Sequence, residues 1–498
     1  MYCKSDTKVG RNAYFCKKSA MELPEGFVDW ARGCAGLDGE ALIESLQLPA
    51  AVAVRVNRRK TVDDTVGNLY PEGREVEWCA SGLRLPERPI FTLNPLLHAG
   101  VFYVQDPSSM IHEQIASLLA ERLRRECEGD EALKVLDFCA APGGKTTAMI
   151  GGLPEGTQVV ANEVDGHRRN ILRENLEKWG YPYVAVAGSR SSDFASLGPE
   201  FDIVAVDAPC SGEGMMRKEM EARRQWGPRL IADCAALQRE LLEDVVCALK
   251  PGGYLIYSTC TFNPEENERN VAWLRDVLGL EPMMGELLPD MKGVERAGRE
   301  IEGDIPCLRF MPHLTDGEGL FVTVMRKPAT AAGELASGKI DVRTMRRLSG
   351  RRHSGNNASN EPEMPWMRDD MIAVESRDNP GEFTALPREM GELVGRMRSA
   401  GVRVVEAGLP AGVMKGRELQ PDGRAALSLA FEQDSMPDVA LSEEDALRYL
   451  RMETVRLPEY TPKGYVTVSY EGHRLGMMKN LGQRANSLWP KLWRVKMA

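Results

Sequence analysis

The stretch Lys134–Lys145, KVLDFCAAPGGK, decides the fold of this chain. Its first half predicts a short buried strand over residues 134–138, and its second half predicts a tight Ala-Pro-Gly-Gly turn that leads into a helix at Lys145. A glycine turn between a strand and a helix lets backbone amides approach a ligand closely, and the helix N-terminus carries partial positive charge. The stretch therefore predicts a ligand-binding turn.

Two interpretations of this turn are open. A P-loop requires the pattern G-x-x-x-x-G-K-[ST], and its second half matches Gly144, Lys145 and Thr146, but Cys139 occupies the position of the first glycine. The alternative is a nucleotide-like cofactor bound at the first turn of a doubly wound sheet. The pattern that follows along the chain favours the cofactor.

From residue 134 onward, strand and helix patterns alternate. The strand patterns lie at 134–138, 157–163, 182–188, 201–207, 253–259, 306–311 and 319–326, and the helical patterns at 110–126, 145–151, 165–179, 233–249 and 263–277. Strands separated by helical crossovers predict a parallel sheet, whereas the short turn 315–319 allows only an antiparallel pair. Seven strands ending in an antiparallel hairpin are the layout of a class I methyltransferase, a Rossmann-like α/β fold.

The composition is that of an ordinary soluble protein of several domains. A length of 498 residues suggests about three domains, and 43% of the residues are apolar while 27% are charged. The net charge of -10 and the pI near 5.4 argue against a protein that coats nucleic acid non-specifically. They leave room for local basic patches on an acidic body.

The eleven cysteines contain no C-x-x-C pair, so the sequence encodes neither a zinc site nor a thioredoxin motif. Free thiols in this number fit a reducing cytoplasm. No apolar run approaches the roughly 20 residues of a membrane span, and no signal peptide is visible. We therefore expect a cytoplasmic protein that binds no metal and no membrane.

One basic cluster follows a predicted strand near the start of the chain. Residues 51–57 alternate like a strand, and Arg55, Arg58, Arg59 and Lys60 lie at its end. The cluster is either a solvated strand end or a phosphate contact.

A second basic segment closes the chain. Residues 472–498 hold six Lys or Arg and no acid, with Trp489 and Trp493 interleaved. Basic side chains among aromatic ones favour a module that contacts RNA over a plain solvated surface.

Polar and thiol side chains follow the strands at their carboxyl ends, where open α/β sheets bind ligands. Glu163 ends the second strand, where an acid can hold the hydroxyls of a ribose, and Asp193 after the third strand could accept from an adenine amine. Asp207 and Cys210 follow the fourth strand, and Cys260 ends the fifth. Because these two strands should be neighbours about 5 Å apart, both cysteines are expected to face one crevice.

Paired cysteines beside a cofactor favour methyl transfer to carbon rather than nitrogen, although either cysteine alone is more often a buried structural residue. Carbon 5 of a pyrimidine becomes nucleophilic when a thiolate adds at carbon 6. Asp207 can select cytosine through the ring nitrogen and the exocyclic amine. The segment 263–266, Asn-Pro-Glu-Glu, predicts a capped helix start just after Cys260, and a helix N-terminus favours a thiolate.

Several motifs together resemble the signature of the Nop/Sun family of RNA cytosine-5 methyltransferases. They are DFCAAPGGKT (137–146), DAPCSGEG (207–214) and YSTCT (257–261), with QDPSS (105–109) and NPEENE (263–268) in agreement. In the C-terminal third, three shorter segments are similar to the F subgroup of bacterial small-subunit (16S) ribosomal RNA methyltransferases, which ends in a PUA-like region: GL (408–409), PKGY (462–465) and WPKLWR (489–494).

The resemblance implies S-adenosylmethionine as cofactor and a cytosine of small-subunit ribosomal RNA as substrate. It implies that Cys260 attacks carbon 6 and that Cys210 assists product release; the reverse assignment, as in DNA cytosine methyltransferases, stays open. The candidate catalytic residues are Cys260, Cys210, Asp207 and Lys145. The candidate cofactor-binding residues are Cys139, Ala140, Ala141, Pro142, Gly143, Gly144, Lys145, Glu163, Arg168, Asp193 and Asp207.

The composition and the resemblance together divide the chain into five segments. We expect a disordered extension over 1–20, an N-terminal RNA-binding α/β domain over 21–93 and an S-adenosylmethionine-dependent methyltransferase domain over 94–328. A basic linker would follow over 329–365, and an α+β RNA-binding region, PUA-like towards its end, over 366–498.

Three other functions are consistent with the sequence. The same chemistry could act on transfer RNA, the chain could be a non-catalytic ribosome-assembly factor, or it could be a P-loop phosphohydrolase. We expect a monomer, because one chain contains every part.

Overall fold

The computed structural model describes residues 22–61, 65–126, 131–329, 362–376 and 379–496. The predicted extension over 1–20 and nearly all of the predicted linker over 329–365 lie outside these residues. The described part forms four β-sheets, of which the largest has nine strands.

The N-terminal unit contains two helices followed by an antiparallel sheet. The helices are α1 (Glu25–Gly33) and α2 (Gly39–Ser45), and Asp38 caps α2 by accepting a hydrogen bond from the Ala41 amide at 3.0 Å. The sheet has the order β2-β3-β1-β4. Its strands and short helices are β1 (Ala53–Val56), β2 (Arg74–Val76), β3 (Cys79–Arg84), β4 (Phe102–Val104), α3 (Thr65–Leu69) and α4 (Pro95–His98).

The large sheet follows the predicted layout. Its strands from this region are β5 (Lys134–Asp137), β6 (Gln158–Asn162), β7 (Val184–Ala187), β8 (Phe201–Asp207), β9 (Leu249–Thr259), β10 (Glu281–Pro282), β11 (Leu308–Phe310) and β12 (Leu320–Arg326). Strands β5 to β9 are parallel, and β12 is antiparallel to both β9 and β11, as the short turn between the last two strands predicts. The class I methyltransferase fold is confirmed.

Helices cover both faces of this sheet. They are α5 (Ile111–Glu126), α6 (Gly144–Gly152), α7 (Gly166–Trp179), α8 (Ser191–Leu197), α10 (Pro228–Cys247), α11 (Glu268–Asp276) and α12 (Met284–Leu287). Two further helices, α9 (Met220–Gln225) and α13 (Pro312–Thr315), pack in the same apolar cluster as α1 and α2. The predicted helix start at Asn263 is wrong, because α11 begins at Glu268. The Glu266 carboxylate binds the loop after β8 instead of capping a helix.

The C-terminal region adds a strand to the large sheet that the sequence pattern did not predict. A four-stranded sheet contains β13 (Met371–Glu375), β14 (Glu382–Pro387), β16 (Leu409–Lys415) and β17 (Glu418–Pro421), and α14 (Arg388–Ser399) follows β14. Strand β15 (Val404–Ala407) instead pairs antiparallel with β7 in the large sheet. With β10 and β15 added, the sheet has nine strands rather than seven, and β15 covers an edge that would otherwise expose unpaired backbone groups.

The last sheet forms the end of the described chain. It consists of β18 (Asp438–Ala440), β19 (Gly464–Tyr470), β20 (His473–Asn480) and β21 (Ala485–Ser487), with α15 (Glu443–Leu450) packed beside it. Trp489 is only 3% exposed and packs against Tyr449 and Trp493. Trp489 is therefore part of the core, whereas Trp493 remains half-buried at the surface.

The basic cluster at the end of β1 joins the N-terminal unit to the methyltransferase domain. Arg55 is fully buried and donates hydrogen bonds to the Gln105 side chain (2.8 Å), the Thr147 carbonyl (3.1 Å) and the Thr147 hydroxyl (2.6 Å). Arg59 donates to the Leu153 carbonyl at 2.6 Å, and Lys60 donates to the Lys178 carbonyl at 2.6 Å. Neither a solvated strand end nor a phosphate contact describes these three side chains.

We predict that Arg55→Lys lowers the midpoint of thermal unfolding by about 4 °C, because the single nitrogen of a lysine cannot reach the separate acceptors that the planar guanidinium spans. Arg58→Lys is the matched control, since Arg58 follows the same strand but is exposed. Differential scanning calorimetry measures both shifts. Equal midpoints for the two variants would contradict the structural role of Arg55.

Candidate active site

The turn after β5 forms the floor of the site. The Ala140 amide donates to the Asn162 carbonyl at 2.9 Å, which fixes the turn against the end of β6. Gly143 has a φ of 108° and immediately precedes α6. A side chain at this position would be strained and would approach Leu172 at 3.2 Å, so this turn and its packing against α7 require glycine.

Two charged residues frame the turn from the side of β6. Glu163 follows β6 and is almost fully buried, and its carboxylate accepts from the Asp165 amide at 2.9 Å. Arg168 lies 3.1 Å from the Glu163 carboxylate and donates to the Ala141 carbonyl at 2.8 Å. The structure thus brings the predicted ribose-binding acid and Arg168 to the turn, and the roles of both stay predictions.

Asp193 lies at the first turn of α8 and is half-buried. Its carboxylate accepts from the Arg190 amide at 3.2 Å and therefore also caps this helix. Its predicted contact with an adenine stays a prediction.

Cys139 begins the turn as a half-buried thiol. Burial, followed by the charges of Asp207 and Asp137, raises the pKa of Cys139 well above its usual value. Cys139 therefore lines the turn as a neutral side chain.

Asp137 is a site residue that the sequence interpretation missed. It is the last residue of β5, is 1% exposed and accepts from the Thr146 hydroxyl at 2.6 Å. Burial, with the neighbouring Asp207 charge, raises the pKa of this carboxyl to about 7. The sequence signal that could have identified Asp137 was an acidic residue at the end of an otherwise apolar strand.

Lys145 and Asp207 form an ion pair in the centre of the site. The Lys145 ammonium lies 2.8 Å from Asp207 Oδ2, and the Ser258 hydroxyl donates to Oδ1 at 3.0 Å. Burial alone would lower the pKa of Lys145, but the charge of Asp207 and the hydrogen bond to it raise that pKa above its usual value. The Lys145 ammonium and the Ser258 hydroxyl therefore hold the Asp207 carboxylate in the crevice that contains the cysteines.

The predicted convergence of the two cysteines is present. Parallel pairing of β8 with β9 places Asp207 opposite Ser258, and just beyond these residues the sulfur atoms of Cys210 and Cys260 lie 3.3 Å apart. The hydrogen bond with Cys260, together with burial, raises the pKa of the Cys210 thiol well above its usual range. Cys210 therefore keeps its proton and can donate it to the Cys260 sulfur.

His112 also lies beneath the ion pair and was missed. It is buried, and its Nδ1 atom lies 3.0 Å from the Ser109 carbonyl. Burial, followed by the positive charge of Lys145, lowers the pKa of His112 to about 4. At neutral pH this histidine adds no charge to the site.

Groups of three or more His, Cys, Asp or Glu side chains arranged to hold a metal ion are absent from the residues that the structure describes. Among the helices in those residues, none is long and apolar enough to cross a membrane.

The sheet and its ligand turn define an α/β methyltransferase, and solved structures share this fold. A methyltransferase homolog from Pyrococcus horikoshii is 29% identical with a TM-score of 0.50, over 61% of this chain and 95% of that chain. NSun6 from the same organism, determined with SFG, is 19% identical with a TM-score of 0.51, over 61% of this chain and 98% of that chain.

Family models match three parts of the chain. They describe the 16S rRNA methyltransferase RsmB/F over residues 126–326, the N-terminal domain of 16S rRNA methyltransferase RsmF over 23–107 and the methyltransferase RsmF PUA domain over 437–495. Ribosomal RNA small subunit methyltransferase F from Klebsiella pneumoniae is 32% identical, over 95% of this chain and 97% of its own length. The corresponding Cronobacter sakazakii protein is 32% identical over 94% and 96%. The chain belongs to the ribosomal RNA small subunit methyltransferase F family.

We predict that Asp137→Asn changes the pH dependence of stability. A carboxyl whose folded pKa is raised to about 7 stabilises the fold below its unfolded pKa, and this contribution is lost as the pH rises through 7. The thermal midpoint of the variant, relative to that of the natural chain, should therefore rise between pH 5 and pH 8 by several degrees. A difference that stays constant over this range would contradict the raised pKa of Asp137.

Proposed function

We propose that the chain transfers a methyl group from S-adenosylmethionine to carbon 5 of a cytosine in small-subunit ribosomal RNA, through a covalent bond between Cys260 and carbon 6. The observation that carries this proposal is the 3.3 Å separation of the Cys210 and Cys260 sulfur atoms beside the ligand turn. A transfer to an amine nitrogen would require neither thiol.

The residues around the turn fit the cofactor. The N-terminus of α6, which follows the glycine turn directly, suits an amino-acid carboxylate. The buried Glu163 carboxylate suits the hydroxyls of a ribose, and Asp193 lies in the first turn of α8, after β7. When bound, S-adenosylmethionine supplies an electrophilic methyl group.

Cys260 starts the reaction on the base. A lone pair of its thiolate forms the bond to carbon 6, and the former carbon 5–carbon 6 pair makes carbon 5 nucleophilic. Asp207 accepts from the exocyclic amine, and the Lys145 ammonium, 2.8 Å from Asp207, holds that carboxylate in place. The base must leave its stack to reach the crevice.

Release requires the loss of the proton on carbon 5. The carbon–hydrogen pair re-forms the carbon 5–carbon 6 double bond, and the carbon 6–sulfur bond breaks with its electrons returning to Cys260. Cys210 is the group positioned to accept that proton after losing its own to water. The hydrogen bond with Cys260 is the largest cause that raises the pKa of Cys210, so Cys210 loses its proton more readily once the Cys260 sulfur is bonded to carbon.

The flanking segments would position the RNA. Residues 21–93 and 366–498 lie on either side of the methyltransferase domain in sequence, and a PUA family model matches 437–495. We propose both as RNA-binding regions, and we propose that the chain acts as a monomer in the cytoplasm.

A trapping experiment tests the chemistry. Cys210→Ala, incubated with S-adenosylmethionine and either naked small-subunit rRNA or intact small subunits, should accumulate a covalent protein–RNA adduct on a denaturing gel, because the release group is missing. Cys260→Ala should form no adduct, because the attacking sulfur is missing. Sequencing the trapped RNA would identify the cytosine.

Cys234→Ala is the matched control, since Cys234 is another half-buried thiol but lies on α10. It should turn over without adduct, as the natural chain does. An adduct with Cys260→Ala alone would reverse the two roles. The lack of any adduct with both substrates, in variants that bind the cofactor, would instead support an assembly factor without catalysis.

A further inference from the structure

Two loops carry the cysteines, and side chains join them to each other. The Pro-Cys loop, residues 208–216, follows β8, and the Thr-Cys loop, residues 260–267, follows β9. Neither loop has regular strand pairing, so the separation of Cys210 and Cys260 depends on contacts made beyond the sheet.

Glu213, in the Pro-Cys loop, binds backbone amides of the Thr-Cys loop. Its Oε2 atom accepts from the Phe262 amide at 2.7 Å and from the Asn263 amide at 2.9 Å. Its Oε1 atom accepts from the Trp226 indole at 2.9 Å. The side chain of Glu213 is fully buried.

Glu266, in the Thr-Cys loop, makes the reciprocal contact. Its Oε2 atom accepts from the Ser211 amide at 3.0 Å and from the Gln238 side chain at 2.8 Å. Gln238 also donates to the Pro209 carbonyl at 2.9 Å, on the residue before Cys210. Glu266 is fully buried as well.

Further bonds connect the two loops in the same region. The side-chain amide of Asn263 donates to Glu213 Oε1 at 3.2 Å and to Glu266 Oε1 at 2.9 Å, so it bridges both carboxylates. The Ser211 and Thr261 hydroxyls are 2.8 Å apart. The Gly214 amide donates to the Cys260 carbonyl at 2.8 Å, which is direct backbone contact with a cysteine residue.

We propose that Glu213 and Glu266 are positioning residues that hold the two cysteine loops together and so set the separation of the Cys210 and Cys260 sulfur atoms. Each carboxylate lies on one loop and binds amides of the other, so neither loop can move without breaking charge-assisted hydrogen bonds. The consequence for methyl transfer rests on the function proposed above, because the release step needs Cys210 beside the base that Cys260 holds.

The carboxylates can be altered with little change in shape. In Glu213→Gln, one carboxylate oxygen becomes an amide that faces the Trp226 and Asn263 donors. In Glu266→Gln, the new amide faces either the Asn263 amide or the Ser211 and Gln238 donors. Each change therefore places one hydrogen-bond donor against another inside a buried network, and this should loosen the contact between the loops.

The separation of the thiols can be measured without RNA or cofactor. Phenylarsine oxide bridges two thiols that lie close together, and it should bridge Cys210 and Cys260 in the natural chain but not in Cys210→Ala. We expect Glu213→Gln and Glu266→Gln to slow this bridging about tenfold, because the preorganised geometry is lost. Calorimetric titration should show that both variants bind S-adenosylmethionine as the natural chain does.

Methyl transfer gives the second readout. In both glutamine variants, the covalent protein–RNA adduct should accumulate although Cys210 is intact, because release slows more than attack. Failure of Cys210→Ala to trap RNA would count against the proposed function, whereas the arsenical reaction tests the loop contact independently of it.

Glu177→Gln is the matched control, because Glu177 on α7 is also buried but bonds to Arg424, outside both loops. Wild-type bridging rates in folded Glu213→Gln and Glu266→Gln would overturn the proposal, as would equal slowing in Glu177→Gln. If the glutamine variants do not fold, Thr261→Val removes the hydroxyl bonds to Ser211 and to the side-chain amide of Asn263. It should slow bridging to a smaller extent, and an unchanged rate in this variant would overturn the proposal.

Discussion

Parallel pairing of β8 with β9 is the constraint on which the site depends. The register that places Asp207 opposite Ser258 brings two chain segments, fifty residues apart in sequence, to one edge of the sheet with their cysteines adjacent. The same pairing lets Ser258 donate to Asp207, which in turn fixes Lys145 from the turn after β5. Backbone hydrogen bonds thus specify the layout, and each side chain needs to span only a few ångströms.

The turn after β5 depends on a part of the chain far from it in sequence. Arg55 from β1 is buried beneath the first turn of α6 and bonds to both the carbonyl and the hydroxyl of Thr147. Gln105 accepts from the same guanidinium. Burying an arginine is costly unless its donors are satisfied, so the N-terminal unit and the ligand turn stabilise each other. This coupling explains why a basic cluster near the start of the chain faces inward.

The large sheet was predictable because its central strands are buried on both faces and appear as continuous apolar runs between turn residues. Residues at the carboxyl ends of those strands, such as Glu163 and Cys260, could be assigned for the same reason. Strand β15 could not be predicted, since VVEA in a polar region shows neither a long apolar run nor its distant partner β7. The burial of Arg55 could not be predicted either, because a sequence does not show whether hydrogen-bond acceptors surround a charged side chain in the fold.

Asn263 and Glu266 show how a local pattern can fit two structures. Their spacing is that of a capped helix start, yet the helix begins at Glu268 and the Glu266 carboxylate turns to the Ser211 amide of another loop. Burying Glu213 and Glu266 together costs free energy, and each unsatisfied buried donor or acceptor would cost about 1–3 kcal/mol more. The amide hydrogens of both loops offset that cost only in the observed arrangement. A buried polar network of this kind contributes less to overall stability than to the uniqueness of one geometry, and here that geometry is the contact between two thiols.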